Sequence, residues 1–323
     1  MTSAQQRPSL DVVVIGSAMV ELTPAEMGRS LAEAETMQPL PSGSAANFAG
    51  ALASLGVRVG LISRVGSDEL GEWLIDRLGR RGIDTRFVLP VAGELTPVSF
   101  AWMDQDGEKT FFFYRFPDYC DPMATLAAEQ IEPSEVTCGK FFDFTEAAIR
   151  NEPLRSATLR AASIAAEAGH TVCYAVNYRQ AAWRGQSRQE ILEVQRNACS
   201  RAQIVVMNHE EAIFVSSVTD EEEQLHRIAD LGPGIVIVTR GERGSMVYDQ
   251  GAVDHVPARD VTVVYDIGAG DTFHAGLLAG ILSGMSPKRA ARFGSDAAAL
   301  RISRPADGPN PDFDEVSRLA GRS

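Results

Sequence analysis

An aspartate that follows a turn of small residues is the strongest candidate for chemistry in this sequence. Asp271 comes directly after Gly268-Ala269-Gly270, between an apolar segment predicted to be a strand (Val261–Val264) and a segment with helical periodicity (Phe273–Ser283). Such a turn points several main-chain N–H groups at one place, where the positive end of the helix dipole also favours an anion. A phosphate is the expected occupant, and a carboxylate beside it would take a proton from a nucleophile that attacks the phosphate.

A simpler interpretation of the same residues remains open at this point. Aspartate is a favoured helix N-cap, and Gly-Ala-Gly can be a tight connection between a strand and a helix without any ligand. The rest of the chain has to decide between the two interpretations.

The charge and composition of the chain limit its possible partners. The formal net charge is −13, so we expect neither nucleic acid nor an anionic membrane surface as a partner. The cysteines have no metal-cluster spacing, the N-terminus lacks an apolar signal-peptide core, and no apolar run approaches membrane-spanning length. These features predict a cytoplasmic protein with reduced thiols.

Periodicity and turn residues predict that strands and helices alternate along most of the chain, which is typical of a doubly wound parallel sheet. The predicted strands are Asp11–Gly16, Val57–Val65, Lys140–Phe144, Thr171–Val176, Gln203–Met207 and Ile235–Thr239. One predicted helix follows the small-residue turn that contains Gly43–Asn47. The other main predicted helices are Glu69–Arg80, Glu152–Ala168, Ser187–Cys199, His209–Val215 and Asp220–Asp230.

A hairpin pattern interrupts this alternation. Val98–Met103 and Lys109–Arg115 are predicted strands, joined by a turn at Asp104–Glu108. The polar segment Ser17–Pro41 is predicted as a loop or as short edge strands that leave the core. We expect the hairpin to protrude from the main sheet and to pair with part of Glu21–Pro41.

Several catalytic motifs are absent from the sequence. There is no GxxxxGK[ST] P-loop, no protein-kinase HRD or DFG set, no HExxH and no GxSxG. Phe273 stands where a dinucleotide fingerprint needs its third glycine. Hydride transfer, zinc hydrolysis and triad hydrolysis are therefore disfavoured.

Five motifs, in the right order, resemble those of the ribokinase-like (PfkB) carbohydrate kinases. The resemblance covers nearly the whole chain, from Val12 to about Asp314. It rests on Gly43–Asn47 with Gly60 and Gly66, on Asn177-Tyr178-Arg179 with Trp183, on Asn208–Glu211, on Thr239–Gly244, and on Gly268–Phe273 with Ala275-Gly276. The Asn-x-Arg…Trp stretch is similar to that of 2-keto-3-deoxygluconate kinases and fructokinases within the family.

The resemblance implies a fold and a reaction. The fold would be a single ribokinase-like domain over residues 1–323, a three-layer α/β/α structure with a mostly parallel central sheet and a small protruding β lid from about 21–41 and 85–116. The reaction would be ATP-dependent phosphorylation of a sugar hydroxyl with Mg²⁺, in a homodimer formed through the lid. Asp271 matches the catalytic base, and the amides of Gly268, Ala269 and Gly270 would hold the charge of the transferring phosphoryl group.

The resemblance also assigns residues to the sugar. Gly43 and Asn47 would line the sugar site, and Glu21 stands where the family usually has an aspartate that binds sugar hydroxyls. Arg179 could bind a substrate carboxylate in bidentate fashion, and Arg115 could reach the sugar from the lid. Each assignment has a simpler alternative, which is packing for the glycine and solvent exposure for the polar side chains.

On the nucleotide side, Asn208 and Glu211 would orient phosphate and Mg²⁺, the metal being held through water. Asn208 could instead only cap the helix that follows it. The other residues expected to bind nucleotide, which could equally be ordinary turn and helix residues, are Thr239, Gly241, Gly244 and Ser295.

Three departures from the family pattern concern the substrate and a monovalent cation. Tyr265–Ile267 replaces the usual Asp-Thr-x before the glycine turn, which leaves a monovalent-cation contact open. Ala175 stands where sugar kinases commonly have Asp, and Ser42 replaces the first glycine of the usual pair. The sugar, which could be a ketose, a hexose or a 2-keto-3-deoxy sugar acid, is therefore less defined than the reaction.

Two other functions remain open from the sequence. A nucleoside kinase of the same fold is disfavoured by the Asn-x-Arg…Trp stretch. A sugar- or nucleotide-binding regulator without catalysis is disfavoured by the intact Gly-Ala-Gly-Asp turn.

Overall fold

Strands and helices alternate through most of the chain. The computed structural model describes residues 9–26, 29–103, 109–114, 121–183, 185–305 and 308–321. The strands in these residues are β1 Val12–Ile15, β2 Met19–Pro24, β3 Met37–Ser42, β4 Val59–Gly66, β5 Val88–Val91, β6 Val98–Met103, β7 Lys109–Tyr114, β8 Phe141–Thr145, β9 Thr171–Ala175, β10 Ile204–Asn208, β11 Ile235–Thr239, β12 Ser245–Asp249 and β13 Ala252–Val256. The α-helices are α1 Ser44–Ser54, α2 Glu69–Arg80, α3 Pro133–Val136, α4 Leu154–Glu167, α5 Arg188–Ser200, α6 His209–Ser216, α7 Glu221–Ala229, α8 Ala269–Leu282, α9 Pro287–Ile302 and α10 Phe313–Ala320.

A nine-stranded sheet forms the centre of the molecule, in the order β13-β12-β11-β10-β9-β8-β1-β4-β5. The seven strands from β11 to β5 pair in parallel, and β12 and β13 add an antiparallel edge. The short apolar runs suit this position, because a parallel sheet covered on both faces needs apolar side chains in both directions. The sequence prediction of a mostly parallel central sheet is confirmed.

Helices cover both faces of the central sheet and create two separate cores. Val13 and Ile15 of β1 belong to the core that also contains buried residues of α4, α5, α6 and α7. Val12 and Val14 belong to the core that contains buried residues of α1, α2, α8, α9 and α10. Alternate side chains of one strand therefore stabilise opposite layers, and the fold is a three-layer α/β/α structure.

A second, four-stranded sheet has the order β3-β2-β6-β7. β2 lies inside this sheet, antiparallel to β3 and parallel to β6, so the expectation of a loop or short edge strands from Ser17 to Pro41 underestimated the regular structure of this segment. The second part of the lid was expected to start near residue 85. β5 pairs with β4 in the central sheet, however, and the second part of the small sheet starts with β6 at Val98. The expected turn at Asp104–Glu108 lies outside the described residues.

The segment before the glycine turn is not a strand, and the prediction for Val261–Val264 is wrong. Val263 is 58% exposed, and the amides of Val264 and Tyr265 both donate to the carbonyl of Ile302 at the end of α9. The β-branched residues gave a strand pattern, but this segment lies against the C-terminal end of α9 and pairs with no strand among the described residues. Among the described residues, no helix is both long enough and apolar enough to cross a membrane.

Candidate active site

The carboxyl ends of the parallel strands meet at one edge of the central sheet, where open α/β sheets bind their ligands. The chain order reverses around β1, because β4 lies on one side of it and β8 on the other. The Oγ atoms of Ser44, at the start of α1, and Thr145, at the end of β8, are 3.2 Å apart. This contact places the beginning of α1 at the same edge.

Helix α8 begins with the glycine turn. Gly268 is the N-cap in the left-handed region (φ 87°), which a glycine adopts without strain, and a Cβ added at Gly268 or Gly270 would meet no atom within 4 Å. The Ala269 amide donates to the carbonyl of Asp266 at 3.3 Å and the Thr272 amide to that of Gly268 at 2.9 Å. The described residues offer no main-chain acceptor to the Gly270 and Asp271 amides between them. Two amides without a main-chain acceptor at a helix N-terminus, next to glycines whose Cβ positions are open, fit a phosphate group.

Asp271 is the third residue of α8 and not its N-cap, so the interpretation as a simple cap is wrong. Burial raises the pKa of its carboxyl to about 6, while the nearby charges of His274 and Arg179 act to lower it and Asp143 acts to raise it. A half-buried carboxylate that titrates near neutral pH is suited to accept a proton from a hydroxyl group.

The loop after β9 carries Arg179 to this edge. Asn177 has a positive φ of 39°, which is strained for a residue with a side chain and is typical of functional loops. The buried Glu146 anchors the loop from β8, because its carboxylate accepts from Trp183 Nε1 and pairs with Arg150 at 2.7 Å. The Arg179 side chain itself is exposed and acts electrostatically on both Asp271 and Glu211.

Asn208 and Glu211 cap each other at the start of α6. The Glu211 amide donates to Asn208 Oδ1 at 2.9 Å, and the Asn208 amide donates to Glu211 Oε2 at 2.8 Å. The Tyr178 amide donates to the other carboxylate oxygen of Glu211 at 2.6 Å. Burial raises the pKa of Glu211, while these two amides and Arg179 act to lower it. Within the described ranges, no cluster of three or more His, Cys, Asp and Glu side chains is placed to bind a metal ion directly.

Glu21, Ser42 and Asn47 form a polar corner between the small sheet and α1. Ser42 Oγ donates to Glu21 Oε2 at 3.0 Å, and Asn47 Nδ2 lies 3.5 Å from Ser42 Oγ. Burial raises the pKa of Glu21, opposed by the Ser42 hydrogen bond and by the charge of Arg81. Gly43 is required here for space, because a Cβ would lie 2.4 Å from the carbonyl oxygen of Ser17.

The candidate nucleotide residues are less closely connected. Thr239 is paired with Asn208 across β11 and β10, and Gly241 follows it with φ 59° and open space at its Cβ position. Gly244 has a structural reason of its own, since a Cβ there would lie 2.1 Å from the carbonyl oxygen of Val256. Within the part of the chain that the structure describes, Ser295 on α9 forms no hydrogen bond with these residues. Arg115 lies outside the described residues.

The sequence prediction missed Ser42, Asp143, Glu146 and His274 as site residues. Asp143 lies in the apolar strand Phe141–Thr145, and His274 lies in a helix that is otherwise made of small and apolar residues apart from Asp271 and Thr272. The signal that could have identified Asp143 and His274 is an ionisable residue within an apolar segment that is expected to be buried. Glu146 could not be found in this way, because its partner Trp183 is 37 residues distant in sequence.

The fold and this edge are those of an α/β protein that handles a phosphate-bearing ligand. Residues 9–312 match the pfkB family of carbohydrate kinases, and the chain belongs to that family. A fructokinase from Klebsiella pneumoniae is 32% identical over 286 residues, which are 88% of this chain and 89% of the relative. A 5-dehydro-2-deoxygluconokinase from Geobacillus kaustophilus is 28% identical over 310 residues, which are 93% of this chain and 89% of the relative.

A solved structure of the same fold contains a nucleotide. It is an uncharacterized sugar kinase from Pyrococcus horikoshii in complex with ATP, with a TM-score of 0.80 and 26% sequence identity. The match covers 94% of this chain and 96% of that protein. The expected family and the expected ribokinase-like three-layer fold are therefore confirmed.

Proposed function

We propose that this protein transfers the γ-phosphoryl group of ATP to a sugar hydroxyl, with Asp271 as the general base. The observation that carries the proposal is the start of α8, where a carboxylate with a pKa of about 6 lies beside two amides and an open glycine turn. Asp271 takes the proton of the attacking hydroxyl, and the Gly268–Gly270 turn with the Asp271 amide stabilises the negative charge that is transferred.

The nucleotide is held at the end of β10 and β11. Mg²⁺ neutralises charge on the ATP phosphates when it is bound, and Glu211 reaches it through water because both carboxylate oxygens already accept main-chain amides. Asn208, Thr239 and Gly241 border the nucleotide at this edge. Gly244 and Ser295 are retained as nucleotide-side residues only through their place in the family pattern.

The sugar occupies the space between the polar corner and Asp271. Glu21 and Asn47 supply hydrogen-bonding groups for sugar hydroxyls, and Arg179 supplies a positive charge near the base. A fructokinase and a 5-dehydro-2-deoxygluconokinase among the relatives support a ketohexose or a keto-deoxy sugar acid as substrate. Arg179 favours the sugar acid, since its guanidinium can bind a carboxylate at two points.

The test is an ADP-release screen over neutral ketoses, hexoses, keto-deoxy sugar acids and nucleosides with Mg·ATP, with Asp271→Asn as the matched control. We expect one sugar class to release ADP and the variant to lose about a hundredfold or more in kcat. ADP release that is equally fast in Asp271→Asn would remove this residue from the mechanism. Sugar binding in calorimetry without turnover would favour the non-catalytic regulator, and turnover of nucleosides alone would favour the nucleoside kinase.

We also propose that the small sheet mediates a homodimer. β7 is an edge strand, and Phe111, Phe112 and Phe113 are 49%, 51% and 42% exposed on it. Exposed aromatic side chains on a strand that ends the sheet, as far as the described residues show, are expected to be covered by a partner. Sedimentation of the wild type and of Phe111→Ser/Phe113→Ser tests this. We expect a dimer to become a monomer, and a monomeric wild type would contradict the proposal.

A further inference from the structure

A buried acid–base pair lies one helical turn beyond Asp271. His274 follows Asp271 by three positions, so the two side chains are neighbours on one side of α8. His274 Nε2 is 3.1 Å from Oδ2 of Asp143 on β8, and the two side chains are 4% and 0% exposed. The imidazole ring stacks on Phe48 of α1, with 4.3 Å between the ring centroids. The pair therefore joins α8, β8 and α1 beneath the candidate base.

The pair is an unfavourable choice for packing alone. Among the described residues, Oδ1 of Asp143 has no hydrogen-bond partner, and the one polar contact of Oδ2 is with Nε2 of His274. The 3.1 Å contact is short enough for a hydrogen bond, and burial raises the pKa of Asp143 while the charge and hydrogen bond of His274 act to lower it. An apolar pair of similar volume would stabilise such a core position better than a buried acid with one partner. A role in the candidate active site, which is next to the pair, would explain why an aspartate and a histidine occupy these buried positions.

Three ionisable groups on the elements around Asp271 act on it electrostatically. His274 belongs to its own helix, Asp143 to β8 and Arg179 to the loop after β9. Cys173 of β9 lies beside Asp143 and stays a neutral thiol, because burial and Asp143 raise its pKa far above the usual range. On the α1 side, His274 contacts the uncharged ring of Phe48. His274 is therefore the group within the core that favours the ionised form of Asp271.

We propose that His274 and Asp143 are positioning residues for Asp271. The pair fixes the first turn of α8 against β8 and α1, and His274 keeps the Asp271 carboxylate ionised and directed at the acceptor. Asp143 in turn holds the imidazole ring in place. This inference rests on the proposed role of Asp271 as the base, but neither residue of the pair needs to touch a substrate.

The first test needs no substrate. Protein labelled with ¹³C at the aspartate carboxyl carbons is titrated by NMR, and the Asp271 signal is assigned by its absence in Asp271→Asn. In His274→Gln we expect the Asp271 midpoint to move upwards by about 0.5–1 pH unit, because a favourable neighbouring charge is removed. Leu277→Val, which removes a buried methylene from the same helix, should leave the midpoint unchanged. An unmoved midpoint in His274→Gln would overturn the proposal.

The second test uses turnover. His274→Gln should lower kcat about tenfold with little change in KM, and its acidic limb of kcat/KM should move with the NMR midpoint. Asp143→Asn should lower kcat less, and the double variant should be about as active as His274→Gln alone, because the two residues act as one unit. Losses that multiply in the double variant would show two independent residues and would contradict the pair.

The two tests separate this inference from the proposed function. If the protein has no kinase activity but the Asp271 midpoint shifts in His274→Gln, the coupling between the two residues is supported and the proposed reaction is contradicted. If the protein is an active kinase but His274→Gln changes neither the Asp271 midpoint nor the acidic limb of kcat/KM, the reaction is supported and the role of the His274–Asp143 pair is contradicted.

Discussion

The Asn208 and Glu211 side chains each accept the other's main-chain amide, at 2.9 and 2.8 Å. The second oxygen of Glu211 accepts the amide of Tyr178 from the loop that carries Arg179. Glu211 therefore fixes two structures at once, the start of α6 and the loop after β9. In the proposed function, its carboxylate acts on a hydrated cation through water, because both oxygens already accept amides.

Glu211→Gln should weaken the use of Mg·ATP. We expect the KM for Mg·ATP to rise about tenfold, since the variant loses the charge and can accept only one of the two amides. Glu190→Gln is the matched control, because Glu190 forms the same type of reciprocal cap with Ser187 at the start of α5. Both variants should lose up to about 1 kcal/mol in free energy of unfolding. Equal KM values for the two variants would contradict a role for Glu211 in nucleotide binding.

Gly270→Ala should separate stability from activity. Gly270 lies in the first turn of α8 with open space at its Cβ position, so alanine should keep or raise the free energy of unfolding by up to about 1 kcal/mol. The methyl group enters the space assigned to the phosphoryl group, and kcat/KM for ATP should fall at least about tenfold. Gly79→Ala in α2 is the control, with ordinary contacts at the new methyl group and no expected change in kcat/KM. Full activity of Gly270→Ala would place the phosphoryl group elsewhere.

Asp271 should set the acidic limb of the pH profile. Because its pKa is about 6, kcat/KM should fall below about pH 6 as the base becomes protonated, and a limb near pH 4 would show an unshifted carboxyl.

The same shift predicts a stability effect of Asp271→Asn. The raised pKa means that the ionised carboxylate destabilises the folded state once the pH is above the folded value, and that this cost vanishes below the unfolded value of about 3.8. Asp271→Asn should therefore be more stable than the wild type at pH 8, by at most about 3 kcal/mol, and equally stable at pH 3.5. Thermal unfolding at the two pH values measures this, and a variant that is less stable at pH 8 would contradict it.

Arg179→Gln should discriminate between sugar classes. If Arg179 binds a substrate carboxylate, the KM for a keto-deoxy sugar acid should rise about tenfold or more, while the KM for a neutral ketose changes little. Arg160→Gln, on the exposed side of α4, is the charge-matched control. A similar change in KM for both sugar classes would limit Arg179 to an electrostatic effect on the base.

Local patterns predicted the regular elements well. The helix Glu69–Arg80 and the strand Ile235–Thr239 have the predicted bounds, because Asp68 caps the one and an uninterrupted apolar run forms the other. Val261–Val264 failed because β propensity acts only where a strand can pair. The sequence could not show that this segment packs against the C-terminal end of α9, which comes later in the chain.

Site residues were predictable from the sequence only where the residues that act together are also close together in the chain. Asp271 and the glycine turn are adjacent in sequence, and so are Asn208 and Glu211. The contact of Asp143 with His274 joins residues 131 positions apart, and the contact of Glu146 with Trp183 also depends on how the layers pack. Such pairs arise from tertiary structure, and the sequence gives only the unusual residue types in apolar runs.

The small sheet is attached to the central sheet at several short connections. Three residues separate β1 from β2, one separates β3 from α1, and Thr96, before β6, is fixed by two hydrogen bonds to Asp68. A sheet that is anchored at several places along one side resists rotation about any single one of them. We therefore expect sugar binding to move the small sheet little at these connections, and not to rotate it as a rigid flap about a single hinge.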